Sequence, residues 1–145
     1  MEGAMLVDVE SLSFKTVLRL HTVDGHNGGG PIVRYEIIDA PFLATRRGVY
    51  VVTSNDVVVY CGTFTNTFAK RWLYTRGEYV YHFKRGIIAE TIVNHEVFVH
   101  AQSEECLREQ IGQPGNEWVS VTSIEEKLIR DLKPRPIWNI IGHRG

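Results

Sequence analysis

The chain has 145 residues, the composition of an ordinary globular protein and a formal net charge of −1 at pH 7, which together predict a single domain over residues 1–145. No apolar stretch approaches the roughly 18 residues that would span a bilayer, and the first residues lack the basic region of a signal peptide. We therefore expect no membrane partner and a cytoplasmic location. Cys61 and Cys106 show no metal-ligand spacing and are expected to be free thiols.

The N-terminal segment predicts two strands joined by a loop. Partial alternation over residues 13–22 and a β-branched run over 32–38 favour strands. The connection over 24–31 has four glycines and a proline, which disfavour regular structure. We expect an N-terminal β-hairpin extension over 1–45, followed by a core over about 46–142.

The central segment predicts a second hairpin. Its two β-branched runs, 49–53 and 57–61, are separated by three turn-forming residues. Because antiparallel pairing brings the start of one strand to the end of the other, Tyr50 and Tyr60 can meet at one edge of a small sheet.

The remainder predicts helices and one strand. The predicted elements are a helix over 66–74, a helix over 87–93, a strand over 96–101, and a helix over 103–111 between Ser103 and Gly112. The last helix is expected to begin at a capping box, with Ser123 as N-cap and Glu126 at the third helical position. We therefore predict an α/β (α+β) fold: a small three-stranded antiparallel sheet flanked by helices, with the extra N-terminal hairpin.

Positive charge is concentrated in one part of the chain. Residues 46–85 have seven basic and two acidic residues, a net charge of +5, whereas the segments on either side each have a net charge of −3. The basic segment contains both Gly48-Val49-Tyr50 and Tyr60-Cys61-Gly62. A polyanionic partner is one interpretation, and a chance fluctuation in surface charge is the other.

Five features occur in a fixed order: the two tripeptides, Arg71 on the next predicted helix, Glu125 on the last helix, and a closing Pro-Ile-Trp-Asn segment that ends at Asn139. This order resembles the GIY-YIG nuclease superfamily, and the closing segment and N-terminal hairpin are similar to its branch of phage endonuclease II and related restriction enzymes. The resemblance implies a metal-dependent endonuclease that leaves 5′-phosphate and 3′-hydroxyl ends. Its implied partners are double-stranded DNA, Mg²⁺ with Mn²⁺ as a substitute, and a second copy or more in a homodimer or homotetramer.

The resemblance also implies roles for individual residues. Tyr50 would be the general base with Tyr60 supporting it, Arg71 would bind the phosphate, and Glu125 would bind the metal. Thr75 stands where many members have a histidine, so Lys84 and then His82 are the candidates for that place, and Asn139 matches the closing asparagine. Gly62 is expected to let the backbone approach the phosphate. The candidates for DNA contacts are Arg46, Arg47, Lys70, Arg76 and Arg85.

The chemistry places its own demands on these residues. A phenol ordinarily has a pKa near ~10, so a tyrosine base needs a nearby cation such as Arg71 to favour its ionised form. A hard divalent ion needs few carboxylates, which one glutamate can begin to supply. Two alternatives stand beside the enzyme: a nuclease fold that binds DNA without turnover, and a structural protein in which Tyr50 and Tyr60 only pack.

Overall fold

The computed structural model describes residues 6–24, 31–73, 96–112, 120–133 and 136. The strands in these ranges are β1 (Leu6–Val9), β2 (Leu12–Asp24), β3 (Pro31–Ile37), β4 (Arg46–Ser54), β5 (Val57–Thr67) and β6 (Val97–Ser103). The helices are a 3-10 helix (Ala40–Ala44), α1 (Phe68–Trp72), α2 (Glu104–Ile111) and α3 (Val121–Asp131). The helix predicted over 87–93 lies outside the described residues.

The six strands form one antiparallel sheet in the order β1-β2-β6-β4-β5, with β3 also paired to β2. The predicted three-stranded sheet with a separate hairpin is therefore wrong. The reason is β6, which pairs with β2 through Lys15–Leu20 on one side and with β4 on the other. This strand joins the N-terminal strands to the central hairpin, so both belong to a single sheet.

The central hairpin, β4 and β5, is confirmed, although both strands are longer than predicted. Asn55 and Asp56 form its two-residue turn with φ angles of 48° and 69°. Positive φ at both central positions suits the right-handed twist of the strands, and Asn and Asp tolerate it better than most residues. At its far end β5 continues to Thr67, so α1 begins two residues later than predicted and spans only five residues.

Alternation along the strands gives the sheet two apolar faces. Tyr50, Val52 and Phe64 belong to one buried cluster, together with Phe68 and Trp72 of α1. The opposite cluster contains the intervening residues of β4 and β5, and it is covered by α2 and α3. Its members from these elements are Val49, Val51, Cys61, Leu107, Val121, Ile124 and Leu128. The helix α1 and the helix α3 thus lie on opposite faces of the sheet.

Local capping signals define the two C-terminal helices. Ser103 caps α2 by accepting the N–H of Cys106, and Gly112 ends the helix with a φ of 80°, as predicted. The predicted start of α3 is wrong, because Ser120 is the N-cap and Ser123 completes a reciprocal capping box with it. Starting at Ser120 also buries Val121, which adds an apolar position to the helix face.

Among the described helices, none is both long and apolar enough to cross a membrane.

Candidate active site

The register of β4 and β5 places the two tyrosines on one face of the sheet. Tyr50 lies opposite Gly62, and Val52 lies opposite Tyr60. Because residues two apart on a strand share a face, the tyrosine rings are diagonal neighbours. Their centroids are 6.0 Å apart, with an angle of 39° between the ring planes. The structure therefore brings Tyr50 and Tyr60 together near the end of the sheet formed by β5.

Gly62 provides the space for the Tyr50 ring. A Cβ atom at Gly62 would overlap Cζ and the hydroxyl oxygen of Tyr50, and it would lie 3.0 Å from Cε1 of the same ring. A larger residue at this position would displace the phenol. Gly62 was expected to let the backbone approach a phosphate, whereas in the structure its lack of a side chain accommodates the Tyr50 ring.

The short helix α1 supplies two further groups around Tyr50. Trp72 packs edge-on against the tyrosine at a centroid distance of 5.2 Å. The guanidinium carbon of Arg71 lies 5.9 Å from the centre of the Tyr50 ring, and the Arg71 side chain is hydrogen-bonded to Tyr50. Because Phe68 and Trp72 anchor the helix in the core, Arg71 is held beside the tyrosines.

The two phenols have different environments. Tyr50 is completely buried, and burial raises its pKa well above the ordinary value, with the negative charge of an ionised Tyr60 adding to the effect. The pKa of Tyr60 is also raised by burial, and the Arg71 charge offsets part of that increase. The hydrogen bond between the phenols raises the pKa of Tyr50 and lowers that of Tyr60, as expected when Tyr50 donates to Tyr60. Tyr60, which retains 7% exposure, is therefore the phenol that ionises more readily.

Glu125 approaches from the other face of the sheet. It is half-buried on α3, and burial followed by repulsion from Glu126 raises its pKa, while Arg71 lowers it. Glu125 in turn contributes to raising the pKa of Tyr60. Arg71, Tyr60 and Glu125 thus influence one another's ionisation.

The structure changes the reason for preferring Glu125 to Glu126 as a metal ligand. Glu126 was predicted to complete the capping box, but that role belongs to Ser123. The relevant difference is exposure, because Glu126 is exposed whereas Glu125 is half-buried and the Arg71 charge lowers its pKa. Of these two glutamates, Glu125 is the one that interacts electrostatically with Arg71 and Tyr60.

A single carboxylate limits the kind of metal site that this cluster could form. Among the described residues, no group of three or more His, Cys, Asp or Glu could hold a metal ion. Mg²⁺ typically keeps several waters and takes only one or two carboxylates together with oxygens of a substrate phosphate. Glu125 fits a site of that kind and does not fit an all-protein cage.

Cys61 lies beside the cluster but is a structural residue. Its side chain is fully buried in the core below α3, and burial raises the pKa of the thiol to about 12, with Glu125 adding to the shift. A thiol with such a pKa is protonated at neutral pH and is a poor nucleophile. Both cysteines are free, as predicted.

The predicted DNA-contact residues are divided between two places. Lys70 is exposed on α1 next to Arg71, whereas Arg46 and Arg47 are exposed at the start of β4. Arg46 lies four positions before Tyr50, which corresponds to roughly 13 Å along a strand. Arg46 and Arg47 are therefore outside the tyrosine cluster. Five candidates lie outside the described residues: Arg76, His82, Lys84, Arg85 and Asn139.

The chain matches no family model, no curated protein and no solved structure. A functional interpretation therefore depends on the site itself.

Sequence reasoning missed two residues that the structure places near the basic ones. Lys15 and Gln102 line a cavity that they share with Arg46 and Arg47. The sequence did offer a signal for Lys15. It lies two residues before Val17, so in a predicted strand it shares the inward face of that valine. No such signal exists for Gln102, because its place near Arg46 and Arg47 depends on which strand pairs with β6.

Proposed function

We propose that this chain is a metal-dependent DNA endonuclease that hydrolyses a phosphodiester to a 5′-phosphate and a 3′-hydroxyl. The observation that carries the proposal is the cluster of Tyr50, Tyr60 and Arg71, with Glu125 coupled to it electrostatically. Hydrolysis requires a group that takes a proton from water and positive charge that stabilises the phosphorane-like transition state. The cluster contains both kinds of group within one small region.

Tyr60 is the group that we assign to the proton transfer. It is the more exposed and the more easily ionised phenol, and a hydrogen bond donated by Tyr50 would stabilise its phenolate. A water attacks phosphorus, its proton passes to the Tyr60 phenolate, the bond from phosphorus to the 3′ oxygen breaks, and the 3′ oxygen takes a proton from solvent to give the 3′-hydroxyl. In this assignment Tyr50 positions Tyr60, which reverses the order of roles that the resemblance implied.

Arg71 and Glu125 provide the charges in this scheme. Arg71 stabilises the Tyr60 phenolate and binds a non-bridging phosphate oxygen, a contact that suits the planar guanidinium. Glu125 would hold Mg²⁺, or Mn²⁺ in its place, and a bound divalent cation would supply Lewis-acid stabilisation of the leaving oxygen. One such site cuts one strand, so cleavage of both strands would require a second copy of the chain or a second nick.

Plasmid cleavage tests the proposal. Supercoiled DNA with Mg²⁺ should be nicked by the natural protein, and the ends should accept ligation because they have a 5′-phosphate and a 3′-hydroxyl. Tyr60→Phe and Glu125→Gln should each lower the rate by about 10²-fold or more, the scale expected when general-base or metal-ligand function is lost. Glu126→Gln is the matched control, because its carboxylate is exposed one residue away. Equal loss in both glutamate variants would contradict the assigned site.

A binding module without turnover is the second candidate. It is favoured by the complete burial of Tyr50, whose hydroxyl is already occupied by Arg71 and Tyr60. The same assay separates the two functions: DNA binding that weakens with salt, with no product in Mg²⁺ or Mn²⁺, would favour the module.

A further inference from the structure

A cavity of about 430 Å³ lies where β4 begins and β6 ends, away from the tyrosine cluster. Three cationic side chains line it, those of Lys15, Arg46 and Arg47. Two acidic residues, Glu104 and Glu105, also line it, and Oε2 of Glu104 accepts the backbone N–H of Val121 at 3.1 Å. With three cationic and two acidic residues the lining has a net charge of +1, which favours an anionic ligand.

Arg47 occupies a backbone conformation that is unusual for an arginine. Its φ is 58°. Arg47 lies opposite a β-bulge of β5, because Arg46 pairs with Thr67 and Gly48 pairs with Phe64, which leaves Thr65 and Asn66 facing the single residue Arg47. Glycine adopts this left-handed conformation at lower cost than any residue with a side chain. Arg47 thus lines the cavity in a backbone conformation that glycine would favour.

Lys15 is held at the same cavity by Phe42. Lys15 pairs with Ala101 across the sheet and therefore projects on the apolar face that contains Phe42. Its ammonium nitrogen lies 5.9 Å from the centre of the Phe42 ring, a cation–π distance. This contact restricts the position of the lysine charge without neutralising it.

A line of polar and cationic residues connects this cavity to the candidate active site. Thr67, the partner of Arg46 in the sheet, lines a second cavity of about 300 Å³ together with Lys70 and Arg71. From Arg71 the line reaches the tyrosines directly. Arg46 lies four positions before Tyr50 on β4, which corresponds to roughly 13 Å in an extended strand.

We propose that the cavity lined by Lys15, Arg46 and Arg47 binds a backbone phosphate of the DNA strand at a distance from the bond that is cut. This inference rests on the proposed nuclease function and adds where the strand lies on the protein. The bound phosphate fixes the path of the strand across β5 and thus presents one phosphodiester to Tyr60.

Arg47→Gly gives a sharp test, because its expected effects on stability and on binding are opposite. Glycine relieves the left-handed backbone, so the melting temperature should be unchanged or higher. Loss of the charge should weaken binding of a short labelled duplex, measured by fluorescence anisotropy with a chelator present, by about 5- to 10-fold, and reduce the salt slope by about one. Lys15→Gln should weaken binding by a similar factor, because it removes a second positive charge from the cavity.

Arg19→Ala is the matched control, because Arg19 lies on β2 and pairs with Glu36 and Glu96 instead of lining the cavity. Equal weakening of DNA binding by Arg19→Ala and Arg47→Gly would overturn the inference, because loss of any positive charge would then have the same effect. Absence of DNA binding by the natural protein would also overturn it. Cleavage by the natural protein with undiminished binding by both cavity variants would overturn the phosphate site alone. Selective weakening without cleavage in any metal would support the site and reject the nuclease.

Discussion

His100 predicts a specific loss of stability in acid. It lies on β6, is buried, and its two ring nitrogens are each 2.9 Å from a threonine hydroxyl, Nδ1 from Thr16 and Nε2 from Thr53. Each hydroxyl can donate or accept, so the pair satisfies a neutral imidazole completely. Burial lowers the pKa of His100 to about 4, with Asp56 opposing the shift. The folded protein therefore resists protonation of this ring.

The size of the effect follows from the difference in pKa between the two states. An unfolded histidine has a pKa near ~6.5, so between that pH and about 4 the unfolded chain binds a proton that the folded chain does not. The free energy of unfolding therefore decreases as the pH falls through this window. The decrease should reach about 3 kcal/mol near pH 4 and then level off, and His100 should contribute no pH dependence above the window.

Urea unfolding of the natural protein and of His100→Gln measures this effect. Glutamine can still hydrogen-bond to both Thr16 and Thr53 but does not titrate, so its unfolding free energy should lack the histidine contribution. The difference between the two proteins should change by about 3 kcal/mol from neutral pH to pH 4, with the variant losing less stability. Parallel curves with the same loss in acid would refute the assignment of this pH dependence to His100.

Three further substitutions test the packing around the candidate site. Gly62→Ala should displace the Tyr50 ring, lower stability by about 1–3 kcal/mol and reduce plasmid nicking; a variant with natural stability and activity would contradict the packing. Leu128→Ala, at a position with 1% exposure, should lower the unfolding free energy in urea by about 2–5 kcal/mol, and a negligible loss would show that α3 does not cover the core. Ser120→Ala should lower the unfolding free energy by about 1 kcal/mol, whereas Glu126→Ala should change it by less than about 0.5; the reverse order would restore the start of α3 predicted from the sequence.

Short-range signals predicted the elements that local chemistry determines. Asn55 and Asp56 between two β-branched runs indicated a hairpin, and its turn lies where expected. Ser103 and Gly112 marked both ends of α2 for the same reason, because an N-cap hydroxyl and a left-handed C-cap act within one helical turn. These features need no information from distant parts of the chain.

The architecture of the sheet depends on pairings that no local pattern specifies. The alternation of β6 showed that it is a strand but not that it lies between β2 and β4, because either edge of β6 could have paired elsewhere. The prediction of where α3 starts was wrong for a more local reason. Ser120 and Ser123 both precede apolar positions, and the extended backbone at Ser120 together with burial of Val121 selects the earlier start.

The candidate site was predictable only in part, because its charges come from different faces of the sheet. Hairpin register alone was enough to bring Tyr50 to Tyr60. The enclosure of Tyr50 was not predictable, since it requires Trp72 from α1.

The electrostatic interaction between Arg71 and Glu125 requires a helix on each face of the sheet near the same strand. Because β5 lies at the end of the described strand order, side chains from α1 and α3 can approach each other around it instead of being separated by the sheet. A pair of phenols at an interior strand would have had access to only one of these helices. The position of the hairpin at the end of the sheet, which the sequence did not reveal, is therefore what lets one cluster combine a phenol, a guanidinium and a carboxylate.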